Sequence, residues 1–226
     1  MMAMASIQYL GHSAFLIEMA GRTILTDPWL NPNPKEVKRL LAPAITADKI
    51  RKCDMILISH EHFDHCDPYD ASSIAERTFA YVVAPEDAMA KLTVPSRTKT
   101  TVVEGDKFSL IGLDIEVVTA KHSAEKGVGY VIGGEGKRIY FAGDTYEFSG
   151  MSSIRCDVAM LPIGGTFTMD LLSAVTAAKQ IRPRYVVPMH YNTFQQIKAD
   201  PMDFARRLKG SKVEPIVLGV GESFSF

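Results

Sequence analysis

Short apolar runs bounded by glycine, proline and aspartate dominate the chain, and most are too short for anything but strands. "SAFLIEM" (13–19) and "RTILTD" (22–27) flank an Ala-Gly pair and read as a hairpin. "CDMILISH" (53–60) is a near-continuous apolar run, as expected of a strand buried on both faces. "PYDASSIAERT" (68–78) has helical character with Asp67 or Asp70 as its cap, "AYVVAP" (80–85) is a strand, and "EDAMAKL" (86–92) a short helix. "TTVVEGDKFSLIGLDIEVVTAKH" (100–122) reads as antiparallel strands joined by glycine turns. "VGYVI", "GGEG" and "KRIYFAGD" (128–144) form a second hairpin. Beyond it come a strand "CDVAMLPIG" (156–164), a helix "DLLSAVTAAKQI" (170–181) and a strand "RYVVPMH" (184–190). A helix "DFARRLKG" (203–210) ended by its glycine and closing strands in "VEPIVLGVGESFSF" complete the chain. Strands in groups with helices between them imply a layered α/β domain, and no stretch has a linker's composition, so residues 1–226 are expected to form one domain.

The two halves echo each other. "SIQYLGHSA" resembles "DIEVVTAKHSA", pairing His12 with His122. "AGRTILTD" resembles "EGKRIYFAGD", pairing Asp27 with Asp144. "KCDMILIS" resembles "RCDVAMLP", and "AYVVAPE" resembles "RYVVPMH". Four weak matches in the same order suggest an internal duplication, two ββαβ-type halves packed sheet against sheet. Ligands in layered α/β folds gather at the carboxyl ends of strands, where loops carry side chains freely. His60, His122, Asp144 and His190 each follow such an end.

Composition narrows the partners. With 46% hydrophobic and 23% charged residues over 226 positions, the chain can bury a large core. A net charge of -1 gives no electrostatic reason to expect nucleic acid or an acidic membrane. "KEVKRL" and "ARRLKGSK" carry mild basic clusters at helical spacing, which reads as a solvated face. No run reaches the length of a membrane span, and "MMAMASIQYL" lacks the features of a secretory leader. Three scattered cysteines argue against a disulfide framework and for a reducing compartment, so a cytoplasmic enzyme is expected.

The chemistry concentrates in "SHEHFDHCD" (59–67), which holds three of the six histidines. His60, His62, Asp64 and His65 form an H-x-H-x-D-H array at a strand end. Neutral imidazole and carboxylate are the ligand set of zinc and related divalent ions. Four ligands in six residues exceed what one tetrahedral ion takes from a short loop. Adding His122, Asp144 and His190 makes seven, which suits two adjacent ions. A lone histidine in a loop is usually a surface or capping residue; this array is hard to explain that way.

This array, with His122, Asp144 in "FAGDT" and His190 in "VPMHYNTF", resembles the metallo-β-lactamase superfamily. "YLGHSAFLIE", "ILTDPWLNPNP", "LPIGGTFTMD" and "HYNTFQQIKADPMDF" resemble in particular its UPF0173 group of metal-dependent hydrolases, related to lactonase-like proteins. The resemblance runs over essentially the whole chain. It implies a four-layer αββα sandwich of two pseudo-equivalent halves with a dinuclear site on one edge. It further implies that His60, His62 and His122 hold one ion, that Asp64, His65 and His190 hold the other, and that Asp144 bridges them. His62 in place of glutamate speaks against the diiron oxygen-reducing branch, and Asp144 in place of cysteine against antibiotic hydrolysis. Gly165 stands where a polar residue is expected.

The expected activity is hydrolysis of a small ester, lactone or phosphodiester by a hydroxide shared between two divalent ions, with Asp64 orienting it. Zinc is the first choice, with Mn2+, Fe2+ or Ni2+ open. The alternatives are a nuclease or phosphodiesterase of the same fold and a non-catalytic metal-binding or sensing module. Asp27 is a candidate orienting carboxylate, against a turn cap before Pro28. His12 is a candidate pocket or supporting residue, against a relic of duplication. Asn192 and Tyr191 are candidate substrate contacts. Cys66 reads as a packed thiol, because adjacent residues on one loop do not aim at the same ion.

Overall fold

The computed structural model describes residues 4–124 and 126–226; Met1, Met2 and Ala3, at the start of the segment tested for a leader, and Glu125 lie outside the described residues. Two seven-stranded sheets are found among the described residues. In the first, β1 (Ser6–Gly11), β2 (Ala14–Met19) and β3 (Arg22–Thr26) run antiparallel. From β3 the sheet continues in parallel through β4 (Met55–Leu57), β5 (Tyr81–Ala84) and β6 (Lys99–Thr101). The second sheet repeats the scheme. β8 (Leu113–Thr119), β9 (Val128–Gly134) and β10 (Lys137–Phe141) are antiparallel, and β11 (Val158–Pro162), β12 (Tyr185–Met189) and β13 (Glu214–Pro215) follow in parallel. β7 (Lys107–Leu110) edges β8, and β14 (Ser223–Ser225) edges β1.

The echoing segments therefore occupy equivalent strands: β1 with β8, β3 with β10, β4 with β11 and β5 with β12. The unit repeated is larger than the ββαβ expected, three antiparallel strands followed by three parallel ones. Two further expectations need correction. The stretch 100–122 is not one antiparallel meander, since β6 pairs in parallel with β5 before the chain crosses to the other sheet. The closing strands are likewise split, β13 in one sheet and β14 in the other. Short strands with the same composition carry no mark of which sheet they join.

Aspartates cap the longer helices. α1 (Pro68–Thr78) starts on Asp67, whose Oδ1 accepts from the amides of Tyr69 and Asp70 at 2.9 and 3.0 Å. α2 (Glu86–Ala90) is a single short turn or so. α3 (Leu171–Ile181) starts on Asp170. α4 (Pro201–Leu208) starts on Asp200 and Pro201, earlier than the expected 203, because proline suits a first helical turn.

Alternation along β4 builds the layers. Met55 and Leu57 point between the sheets, toward Val117, Tyr130 and Ile139, while Ile56 and Ile58 pack outward against Ile74 and Ala75 of α1. Each such side chain contributes about 1.5–3 kcal/mol on burial. α3 packs on β11 and against α4. The result is an αββα sandwich whose parallel strands deliver their carboxyl ends to one edge.

Two backbone bonds stitch the sheets together there: Val128 N–H donates to the Ser59 carbonyl at 3.0 Å, and His190 N–H to the His12 carbonyl at 2.9 Å. No helix among the described residues is long and apolar enough to cross a membrane.

Candidate metal centre

All six histidines of the chain meet at this edge. The turn after β4 divides the array. The amides of His65 and Cys66 both donate to the His62 carbonyl, at 3.0 and 2.8 Å, which places His62 and His65 on opposite sides of a tight turn. On one side His60, His62 and His122 each offer a ligand atom within 4.8 Å of the others, their ring centroids 4.6 to 5.0 Å apart. On the other side Asp64, His65, His190 and His12 do the same. Asp144 lies between the two sets. Its Oδ1 is 3.2 Å from His65 Nε2, and its Oδ2 is 3.2 Å from His190 Nε2 and 3.7 Å from His122 Nε2.

A network of orienting bonds decides which nitrogens are left bare. Asp27 is fully buried, and its Oδ2 accepts from His65 Nδ1–H at 2.7 Å and from the Ser59 hydroxyl at 2.6 Å. Its Oδ1 accepts from the Ser59 amide at 2.7 Å. Because the Ser59 proton points at Asp27, its oxygen accepts from His60 Nδ1–H at 2.9 Å. One carboxylate thus fixes the tautomer of two histidines, directly for His65 and through Ser59 for His60, and turns both Nε2 atoms inward. His122 Nδ1–H donates to the Phe167 carbonyl at 3.1 Å with the same consequence.

His12, also fully buried, lies in a second chain. The Thr193 hydroxyl donates to its Nδ1 at 2.6 Å, and its Nε2–H donates to Asp64 Oδ2 at 3.1 Å. In this tautomer His12 carries a proton on the nitrogen facing the site, so it aims Asp64.

Burial first, and the neighbouring His190 second, push the His12 imidazole down to about 3, so it stays neutral. Burial, with His65 and the other nearby imidazoles, likewise holds His60 well below the ordinary histidine value. Burial opposes charge on His65 too, but Asp144, Asp64 and the bond to Asp27 outweigh it and hold that imidazole well above. Burial works against the Asp144 and Asp64 carboxylates and the surrounding histidines overcome it, so both stay ionised.

The donor set fits divalent cations. His60 Nε2, His65 Nε2, Asp144 Oδ1 and both ring nitrogens of His190 are buried without a hydrogen-bond partner. Orphaned buried polar atoms are rare, and several aimed at one spot call for an ion.

Some expectations fail here. Asn192 does not reach toward a substrate: its Nδ2–H donates to the Ala199 carbonyl at 3.0 Å and its Oδ1 accepts the Ala199 amide at 3.1 Å, pinning the 192–199 loop. Tyr191 is buried and stacks on Tyr9. Cys66, by contrast, is the packed thiol expected: it is buried, its thiol donating to the Ala88 carbonyl at 3.7 Å and pushed up to about 12 by burial. Gly165 has φ +66 and forms the turn that brings Phe167 over His122.

The sequence reading missed Ser59 and Thr193, each beside a residue it did single out. It also missed the irregular strap 31–46. Arg39 holds that strap, donating to the carbonyls of Trp29 and Leu41 and stacking 4.0 Å over the Trp29 ring.

Two packed sheets with an imidazole- and carboxylate-lined edge define the class, the metallo-β-lactamase fold. A family described as "Beta-lactamase superfamily domain" matches residues 6–190. Among relatives, a UPF0173 metal-dependent hydrolase of Thermococcus kodakarensis is 38% identical over 97% of this chain and 98% of that protein. Another from Staphylothermus marinus is 39% identical over 99% of this chain and 100% of that one. The solved structure of Igni18, a metallo hydrolase from Ignicoccus hospitalis, is similar with a TM-score of 0.84 and 34% identity, covering 99% of both chains. The chain belongs to the beta-lactamase superfamily and, within it, to the UPF0173 group.

Proposed function

We propose that the protein is a metal-dependent hydrolase that holds two divalent cations, zinc first among them, and acts on a small ester, lactone or phosphodiester. The observation that carries this reading is the convergence of six histidines and three aspartates, with the buried Nε2 atoms of His60, His65 and His190 and Asp144 Oδ1 left without a hydrogen-bond partner. Its relatives' names agree with it.

His60, His62 and His122 would hold one cation, Asp64, His65 and His190 the other, and Asp144 would lie between them. Cations bound there supply Lewis-acid activation of water and of a substrate oxygen. The protein's own residues do the rest. Asp64, aimed by His12, orients the attacking water. Asp27 and Ser59 hold the Nδ1 side of His60 and His65, so that Nε2 of each faces a cation. His190, its backbone N–H donating to the His12 carbonyl, closes the site from the second sheet. A small-molecule substrate suits the adjoining cleft of about 400 Å3.

The test is turnover of phenyl butyrate, δ-valerolactone and bis(4-nitrophenyl) phosphate by zinc-loaded protein. Hydrolysis of one or more, lost with a chelator and restored by zinc, is expected. Two bound zinc ions with no hydrolysis of any of the three would establish a binding or sensing role instead.

A further inference from the structure

Beside the metal centre the cleft changes character. Phe63 and Phe167, 37% and 45% exposed, line it together with Phe194 and Val37. Unlike the scattered exposed rings of Tyr69 and Phe79, these two line one cleft beside the candidate ligands His62 and His122. Phe63 is itself propped edge-on by the Trp29 ring at 5.9 Å. The strap residue before Val37 is Glu36, and among the described residues it is the single charge on this lining outside the His/Asp cluster, with no lysine or arginine. Lys121 and Lys126 line a separate hollow on the far flank of His122, where Lys126 pairs with Glu86 at 2.7 Å.

From this we infer that the cleft selects an uncharged substrate, one that carries an apolar group, aromatic or branched, beside the bond to be cleaved. Resting on the hydrolase reading, this narrows it to neutral esters and lactones and sets anionic substrates, phosphodiesters included, outside the preferred class. The physical reason is twofold. An apolar group between Phe63 and Phe167 removes both rings and itself from water. An anion entering the same space loses hydration, meets no lysine or arginine on these walls among the described residues and faces the Glu36 carboxylate, while cations bound beneath it would be largely offset by Asp27, Asp64 and Asp144. Val37 packs against the Trp29, Phe194 and Ile197 cluster, so Glu36 sits on an anchored part of the strap.

Binding of stable amide analogues separates this from catalysis. Butyranilide is neutral, and succinanilic acid is the same shape with a carboxylate. Calorimetric titration of the zinc-loaded full chain should show butyranilide binding at least about tenfold more tightly, a gap of about 1.4 kcal/mol. Phe167→Ala and Phe63→Ala should each weaken butyranilide by about tenfold, on the scale of lost aromatic burial. Glu36→Gln should leave butyranilide unchanged and improve succinanilic acid by about threefold at low salt, the gain fading as salt screens the charge.

Equal or tighter binding of the anion, no loss in either Phe variant, or no binding of either amide would overturn the inference. Should the binding pattern hold while none of the three substrates above is hydrolysed, the hydrolase reading fails and the cleft assignment stands. Should phenyl butyrate be hydrolysed while the two amides bind alike, the cleft assignment fails and the hydrolase reading stands.

Discussion

Asp27 is the residue on which the candidate centre turns, because one carboxylate governs both halves of it. Asp27→Asn keeps the shape but turns an amide toward groups that need an acceptor, and both His60 and His65 are freed to flip. Zinc affinity should fall by about 10–100-fold, measured by competition with a chromogenic chelator, while the melting profile stays cooperative. His65 makes a second prediction. Its carboxylate neighbours hold its pKa well above the ordinary value of about 6.5, so at pH 7 the metal-free imidazole carries both protons. A cation taking Nε2 displaces one of them. Zinc binding at pH 7 should release about one proton from this group, read from the buffer dependence of the binding heat, and affinity should rise with pH through neutrality. The metal-free fold follows the opposite sign: a raised folded pKa stabilises it fully below about 6.5, and that contribution fades as pH climbs through the folded value. Asp27 was legible as a supporting carboxylate, but its link through Ser59 was not, since "SH" is too common a dipeptide to mark a relay.

At the scale of elements, the site depends on how closely the two sheets approach. Gly143, at the end of β10, has φ +58, and a Cβ there would lie 2.6 Å from the Ser59 Cβ. Only glycine tolerates both the left-handed conformation and that contact. Gly143→Ala should cost about 2 kcal/mol or more and shift Asp144 away from the histidines, seen as a lower melting temperature together with reduced zinc content. The strands carrying this geometry were readable, because β4, β11 and β12 are apolar runs ending at a ligand or a turn. Their allotment to sheets was not, since β6, β13 and β14 are only two or three residues long and pair by position in the fold. The strap was invisible for a related reason. "KEVKRL" reads as a solvated face at helical spacing but is irregular, and its order comes from Arg39 on Trp29, a contact without periodicity.

Over the whole molecule, the duplication explains the division of labour. His12 and His122 follow equivalent strands, as do Asp27 and Asp144. In the second half these residues face the candidate ions directly; in the first half His12 aims Asp64 and Asp27 aims His60 and His65. At these two equivalent positions the second copy presents ligands and the first orients them, and the copies are joined by the stitches at Ser59 and His12. His122→Ala should then empty the centre and abolish turnover together, and a chelator should do the same to the unaltered chain, each followed by metal analysis beside an ester assay. The most direct measurement is a zinc-edge anomalous difference map from crystals of the zinc-loaded protein. Two peaks are predicted, one among His60, His62 and His122 and one among Asp64, His65 and His190, with Asp144 touching both. An empty edge, or zinc bound only elsewhere on the surface, would contradict the account.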